Sequence, residues 1–381
     1  MRVLQVGMEW FPEQPGGLPR VYYDCIQALP QIGVEVSGLV TGSEQVSRSS
    51  MGVVQAFAPT QSSLWQRWTG LRFAVKQAFL QSSYDLVASH FALYTFPILD
   101  RLGQRPLVTH FHGPWALESN AEGAKTLAAG AKWMLEKITY NRSNGFIVLS
   151  EAFRQILHQT YGVPMERIDV VPGGIDSQQY KLDLSRSRAR ERLGWPQDRQ
   201  IIFSVRRLVH RMGLERLIDA IAEVKQKYPE VLLLIAGKGP IHEALQSQIE
   251  ALGLENHVKL LGFVPEGDLV AAYRAANFSI VPSIALEGFG LILIESLAAG
   301  TPVLSTPVGG MPEVLSPFAS DLLLEGISTA QITQGIIEVL AGQRRLPTAE
   351  MCQAYVRKNY DRQAIATKIK AVYQQVLDNQ R

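Results

Sequence analysis

Two carboxylates and the small residues between them carry the first chemical signal in this chain. Glu287 opens Glu287-Gly288-Phe289-Gly290-Leu291, and Glu295 follows eight residues later. Gly288 and Gly290 let backbone approach a ligand closely. The apolar pattern over about 291–299 predicts a helix, with Gly300 as its left-handed stop. Such a helix start aims unsatisfied N–H groups, those of Leu291 and Ile292 first, and a partial positive charge at the loop, which makes it a seat for an anion. Helical side chains lean toward the N-terminus, so Glu295 can reach back to whatever the loop holds. Acceptor-only carboxylates beside an anion make sense when the ligand is also rich in hydroxyls, as a ribose or a sugar is.

A second cluster is cationic. The strand pattern Ile201-Ile202-Phe203-Ser204-Val205 runs into Arg206-Arg207-Leu208-Val209-His210-Arg211-Met212-Gly213. Three arginines and a histidine at a strand terminus form a compact cup, and guanidinium forks match diphosphate oxygens. Further glycine loops follow strand patterns: Gly16-Gly17 after the first strand, and Gly237-Lys238-Gly239-Pro240 after Val231-Leu232-Leu233-Leu234-Ile235-Ala236. Val258-Lys259-Leu260-Leu261-Gly262-Phe263-Val264 adds another strand and loop. In Thr109-His110-Phe111-His112-Gly113, the two histidines share one strand face. An H-x-H pair can bind a metal, but no third ligand stands nearby in sequence. His112, at the strand's end with a glycine behind it, is placed to hydrogen-bond a ligand, while His110 reads as a core histidine.

The spacing from Glu287 to Glu295, set in its glycine loop, resembles the signature of retaining nucleotide-sugar glycosyltransferases of the GT-B type, glycosyltransferase family 4. Other stretches resemble that family in the same order. Gly16-Gly17 is similar to its N-terminal acceptor-side loop, although Val34 stands where the family often has histidine. His112-Gly113 resembles the histidine that contacts the transferred sugar. Pro172-Gly173-Gly174-Ile175-Asp176 resembles the "PNG(I/V)D" link, with Gly173 at the asparagine's position. Arg207 matches the arginine of "GRL(V)xxKG"; Met212 occupies the lysine's position, with Arg211 one residue earlier as its substitute. Gly237-Lys238-Gly239-Pro240 resembles "GxGP", and Phe263 and Val264 fall in the region that frames the base.

The resemblance implies an α/β chain of GT-B architecture, two doubly wound Rossmann-like domains facing a central cleft. It implies an acceptor-binding domain over 1–175, a nucleotide-sugar domain over 176–358, and a terminal helix over 359–381 returning to the first. The implied activity is hexosyl transfer from a UDP- or GDP-sugar to an acceptor hydroxyl with retention, in glycan, glycolipid or exopolysaccharide synthesis. Glu287, His112 and Arg207 would be catalytic. Donor contacts would come from Gly16, Gly17, Arg206, Arg211, Gly237, Gly239, Phe263, Val264, Gly288, Phe289, Gly290, Leu291, Ile292 and Glu295. No metal or other obligatory cofactor is implied. Two other readings stay open: a GT-B epimerase, and a non-catalytic module that binds nucleotide sugars or a membrane surface.

Size and composition fit these expectations. The 381 residues suit two domains. A hydrophobic share of 46% excludes a disordered chain, and a net charge of +2 exerts no global pull toward nucleic acid. Cys25 and Cys352 lack the spacing of a redox or zinc motif and read as buried thiols of a cytosolic protein. The N-terminus lacks the pattern of a secretory signal, and no apolar run approaches the roughly 18 residues of a membrane span. Leu64, Trp68, Leu71, Val75 and Phe79 form one helical face, with Trp65, Arg67, Arg72 and Lys76 off it. This basic aromatic helix over 64–79 fits either an ordinary core-facing helix with a solvated back or a peripheral contact with an anionic inner membrane surface, suited to a lipid-linked rather than a soluble carbohydrate acceptor. A helix is expected over 121–141, and the charge run 185–192 is expected to form a solvated helix end without a site.

Overall fold

The computed structural model describes residues 1–11, 13–122, 126–181 and 184–380. The chain divides into two compact units, Met1–Gly174 with Arg362–Arg381, and Ile175–Asp361. Each is built on one all-parallel sheet.

The first unit carries β1 (Arg2–Glu9), β2 (Glu35–Thr41), β3 (Val54–Ala58), β4 (Leu86–Ser89), β5 (Leu107–Phe111), β6 (Gly145–Val148) and β7 (Ile168–Val170), in the order β3-β2-β1-β4-β5-β6-β7. The chain steps outward from β1 to β3 and then resumes on β1's other side. With right-handed crossovers, this reversal puts helices on both faces and opens a crevice at the strands' carboxyl ends beside β1 and β4. Alternation along β1 shows the two faces. Leu4 and Val6 enter a core with Leu71, Val75, Ile98 and Leu107. Gln5, on the opposite face, hydrogen-bonds Tyr373 of the final helix, Arg362–Asp378. That helix is fastened to helix Gly17–Ala28 through Asp24, which takes Arg20 at 3.3 Å and Arg362 at 3.4 Å.

Helix Leu64–Gln81 starts at a capping box between Ser63 and Gln66 and buries Leu71 and Val75. Its basic back is solvated at Lys76, as expected from sequence, but its two arginines are engaged. Arg67 donates to the Tyr94 hydroxyl at 2.7 Å, and Arg72 forks onto Asp100 at 2.6 and 2.8 Å. Trp65, Phe73 and Leu80 are exposed beside Lys76. Among the described residues, no helix is long and apolar enough to cross a membrane. Of the helix expected over 121–141, residues 123–125 lie outside the described residues, and the observed elements are Trp115–Ala121 and Thr126–Arg142.

The second unit carries β8 (Gln200–Val205), β9 (Val231–Ala236), β10 (Val258–Gly262), β11 (Phe278–Val281) and β12 (Val303–Ser305), ordered β10-β9-β8-β11-β12. Here the reversal falls between β8 and β11. Helix Leu214–Val224 shows why this pattern packs. Leu214, Leu217, Ile218, Ile221 and Val224 recur at helical spacing and are all fully buried, each contributing about 1.5–3 kcal/mol.

The charge run is exposed as expected at Arg186, Arg188, Glu191 and Arg192 and is corrected at Arg190. It forms helix Arg186–Leu193, but Arg190 is only 4% exposed. Its guanidinium donates to the carbonyls of Ala275 (2.9 Å), Gln197 (2.9 Å) and Arg199 (3.1 Å), and to Asn277 Oδ1 (2.8 Å). That same oxygen accepts the Ile201 N–H at 2.8 Å. Arg190 thus clamps the starting ends of β8 and β11, whose far ends carry the arginine and glutamate loops. Arg190→Met strands several buried acceptors and should lower the unfolding free energy of this unit by about 3 kcal/mol; an unchanged urea midpoint would show that the clamp is dispensable.

Candidate functional site

At the reversal in the second sheet, Arg206–Gly213 leaves β8 and Pro282–Gly290 leaves the neighbouring β11. The two loops are joined by the Ile284 N–H donating to the Arg211 carbonyl at 2.9 Å, and Arg211 Nη1 donates to the Leu286 carbonyl at 3.1 Å. A third loop, after β12, secures Glu287 from behind. Gly310 N–H donates to the Glu287 carbonyl at 3.0 Å. Gly309, at φ +57°, leaves no room for a Cβ, which would stand 1.8 Å from that carbonyl oxygen.

Inside these loops Arg206, rather than Arg207, meets the glutamate. The Arg206 and Glu287 side chains, 7% and 15% exposed, form an ion pair. Ser283, also bonded to Arg206, donates its hydroxyl to Glu287 Oε2 at 3.2 Å. Burial works to raise the Glu287 pKa, but Arg206, Arg211 and Ser283 together hold it below the usual carboxylate value. The group is therefore ionised at neutral pH and acts only as an acceptor. Both hydrogen bonds go to Oε2, and among the described residues Oε1 receives none. Arg207 is exposed at the rim.

Helix Leu291–Ala298 begins at Gly290, φ +79°, with no side-chain cap. Its first N–H groups, from Leu291 and Ile292, point where the loop opens. Glu295 is 9% exposed and accepts from the Tyr273 hydroxyl at 3.2 Å. Arg206 also acts electrostatically on Tyr273, so it stands near both glutamates. Gly288 and Phe289 are buried in the loop, and the Phe289 ring packs edge-on to Tyr360 at 5.6 Å.

Gly237 and Gly239 serve a packing purpose beyond the one read from sequence. A Cβ at either would fall 1.8 Å from the Arg206 carbonyl or 2.2 Å from that of Leu208, so the close approach is to the arginine loop's backbone. Phe263 is 49% exposed, with Lys238 over its ring, and Val264 is half-buried beside it. A cavity of about 500 Å³ opens at the opposite, amino ends of the strands, beside Gln200, Asn277, Phe278 and Pro302, remote from these loops.

In the first unit, among the described residues, a Cβ on Gly17 would meet nothing within 4 Å and one on Gly16 would meet Pro19. His112 follows β5 and belongs to a histidine stack that sequence spacing did not disclose. His90 lies 4.2 Å from His110 and 5.2 Å from His112, ring centre to ring centre. Burial lowers the pKa of all three, that of His112 to about 4, and mutual repulsion lowers His90 and His110 further. The ligand atoms of Cys25, His90 and His110 gather within 4.8 Å. However, both nitrogens of His90 are engaged in hydrogen bonds, and burial pushes the Cys25 thiol up, so the group behaves as a polar core. Gln5, His90, Ser283 and Tyr373 had no motif to mark them; the only signal was that His90 ends a strand pattern.

Two parallel sheets with arginine, glutamate and glycine loops at strand carboxyl ends define a GT-B glycosyltransferase. The chain belongs to glycosyltransferase family 4: residues 15–179 match the "Glycosyltransferase Family 4" model, and residues 185–362 match "Glycosyl transferases group 1". It is 30% identical over 309 residues to a D-inositol 3-phosphate glycosyltransferase of Corynebacterium jeikeium, covering 77% of this chain and 73% of that protein. Among solved structures it resembles sucrose-phosphate synthase from Thermosynechococcus elongatus (TM-score 0.82, 21% identity, 99% of each chain). It also resembles Anabaena HepE in complex with UDP and glucose (TM-score 0.80, 22% identity, 98% of this chain and 100% of that one).

Two outcomes follow from the geometry. Arg206→Met leaves the Glu287 carboxylate buried without its cation, which should cost about 3–5 kcal/mol and raise the Glu287 pKa; calorimetric unfolding of this variant at neutral pH checks the loss. The histidine stack makes the first unit acid-sensitive. Its folded pKa values lie below the unfolded value of about 6.5, so the unfolded chain binds more protons. Stability is complete above that pH and falls as pH drops toward about 4. Carboxyls of the same unit that burial raises, Asp24 to about 6 and also Glu9, Glu136 and Asp169, act in the opposite sense. The stack's share is therefore read as a difference: between about pH 7 and 5 the wild-type thermal midpoint should fall more, or rise less, than that of His110→Asn, and an equal change would contradict the stack's neutrality.

Proposed function

We propose that the protein transfers a hexosyl group from a UDP- or GDP-sugar to an acceptor hydroxyl with retention of anomeric configuration. The setting would be cytoplasmic glycan, glycolipid or exopolysaccharide synthesis. In this reading the second unit binds the donor and the first binds the acceptor. The observation that carries it is the ionised Glu287, held by Arg206 through one oxygen and leaving Oε1 for a sugar hydroxyl, beside an uncapped helix start. HepE, similar in fold, is solved in complex with UDP and glucose, which supports a nucleotide-sugar donor.

As the bond from the anomeric carbon to the diphosphate breaks, negative charge grows on the leaving oxygens. The N–H groups of Leu291 and Ile292, with Arg207 and Arg211, stabilise that charge more in the transition state than in the ground state. The acceptor oxygen bonds to the anomeric carbon on the same face, and its proton passes to the departing diphosphate. Glu295 takes the ribose hydroxyls and Glu287 those of the sugar, while His112 serves the acceptor-binding unit at the end of β5. Gly16, Gly17, Gly237, Gly239, Phe263 and Val264 supply backbone and base contacts. The cationic loop supplies the charge that this scheme needs, so it calls for no metal. An epimerase would need a proton-exchanging pair at the anomeric carbon, and the low pKa of Glu287 argues against its filling that role. Where the acceptor is lipid-linked, the exposed Trp65, Phe73 and Leu80 edge is the surface that would meet the membrane.

A panel of nucleotide sugars, read by release of nucleoside diphosphate, tests the proposal. Glu287→Gln should lower kcat by about 100-fold while nucleotide affinity stays within a few-fold. Full turnover in that variant would remove Glu287 from the chemistry.

A further inference from the structure

The cavity of about 500 Å³ at the amino ends of the second sheet takes no part in the reaction above, and every residue lining it belongs to the second unit. Its size is that of a small-ligand site. Strand order gives it two chemically different ends. Glu230 stands just before β9 and Gln200 begins β8, whereas Thr301 and Pro302 stand just before β12. In the sheet, β9 and β12 lie three strand spacings apart, about 14 Å.

Two arginines mark the β12 end. Arg274 rests against Gly300, its Nη1 2.6 Å from where a Cβ would be. It donates from Nε to the Leu184 carbonyl at 3.0 Å and from Nη1 to that of Ala299 at 3.5 Å. Arg186 donates from Nε to the Ala276 carbonyl at 3.1 Å. These bonds hold both side chains in place, yet among the described residues Arg186 Nη1 and Nη2 and Arg274 Nη2 have no acceptor, and neither arginine has an ion pair. Each guanidinium stands in the other's field: partial burial and then Arg274 lower the Arg186 pKa. Glu350, whose charge reaches Arg274, is fully exposed and bonded to Thr348. Two like charges with donors to spare suit an anion that carries two charges.

Acceptors mark the β9 end. Among the described residues, the side chains of Glu230 and Gln200 make no hydrogen bond. Between the two ends, Asn277 Oδ1 is taken by Arg190 and by the Ile201 N–H, which leaves Nδ2 free to donate. Tyr228, Leu340 and Leu346 form an apolar wall for carbon.

We propose that this cavity binds a phosphate monoester of a polyol, its phosphate on Arg186 and Arg274 and its hydroxyls on Glu230, Gln200 and Asn277, at a site separate from the nucleotide-sugar loops. A phosphate dianion offsets both guanidiniums, whereas a carboxylate offsets only one. Hydroxyls donate to Glu230 and Gln200 and accept from Asn277 Nδ2. A second phosphate would meet the Glu230 carboxylate, so the far end selects against bisphosphates.

Isothermal titration calorimetry of the whole protein, with glucose 6-phosphate as the probe, tests this without any turnover. The expected dissociation constant is below about 1 mM, with inorganic phosphate, glucose and glucose 1,6-bisphosphate each binding at least about 10-fold more weakly. Arg186→Gln removes an exposed charge and a single carbonyl bond, so the fold should survive, and affinity for the probe should fall at least about 10-fold. Glu230→Gln should lift the disadvantage of the bisphosphate. Saturating UDP should not displace the probe, because the loops assigned to the donor lie at the other ends of the strands. Absence of binding at about 10 mM probe overturns the proposal. So does displacement by UDP, or an unchanged affinity in Arg186→Gln, since either places the probe elsewhere on the protein. Inorganic phosphate binding as tightly as glucose 6-phosphate overturns the assignment of a polyol.

Discussion

A carboxylate set among buried backbone cannot keep its charge without a cation held at hydrogen-bond distance, and the second unit is arranged around that constraint. Glu287 needs Arg206, and Arg206 sits at the end of β8 while Glu287 sits in the loop after β11. Only a sheet that seats β8 directly against β11 brings them together, and the crossover reversal does so. The pair in turn fixes the loop's path. Arg211 and Ile284 stitch the two segments, while Gly237, Gly239 and Gly309 are glycines because neighbouring backbone passes too close for a Cβ. A buried ion pair gives little net stability against a hydrophobic substitute. Its value here is placement, because it holds one oxygen and leaves the other open.

The far end of the sheet answers to the same need for register. Arg190 and Asn277 tie the start of β8 to the surroundings of β11, so a shift of either strand would break hydrogen bonds some five residues from the site. Parallel strands rise about 3.3 Å per residue, so a one-residue slip would separate Arg206 from Glu287 and turn alternate side chains to the wrong face.

Much of this was legible in the sequence because it is local. Strand patterns ending in glycine loops, the helix start after Gly290 and the left-handed Gly300 all follow from residues within one or two turns of each other. The GT-B fold expected from the ordered motifs is the fold observed. What stayed hidden depends on separations of tens or hundreds of residues. Nothing in Arg206-Arg207 says which guanidinium turns inward; the alternation of β8 decides it. The charge run 185–192 looked solvated because composition cannot tell that one of its arginines faces carbonyls near 275 and 197. The helix over 64–79 looked cationic because Tyr94 and Asp100, which absorb Arg67 and Arg72, lie beyond its own span.

The two units handle buried polarity at their strand ends in opposite ways, and the difference follows from charge. Next to a site for an anion, the second unit gathers cations and can tolerate an ionised glutamate because each charge neutralises the other. Among the described residues, the hydrogen-bond partners of His90, His110 and His112 are neutral groups. Three stacked imidazoles can share that space only if all are neutral. Neutrality then makes hydrogen-bond direction the only polar information available, and a ring with one donor and one acceptor must be told which is which. Gln5 couples the two sides: its amide meets Tyr373 at one atom and His90 at the other, so the amide, the Tyr373 hydroxyl and the imidazole tautomers can reverse only together. A single uncharged side chain in the middle of β1 is thereby coupled, through His90, to the ring that follows β5.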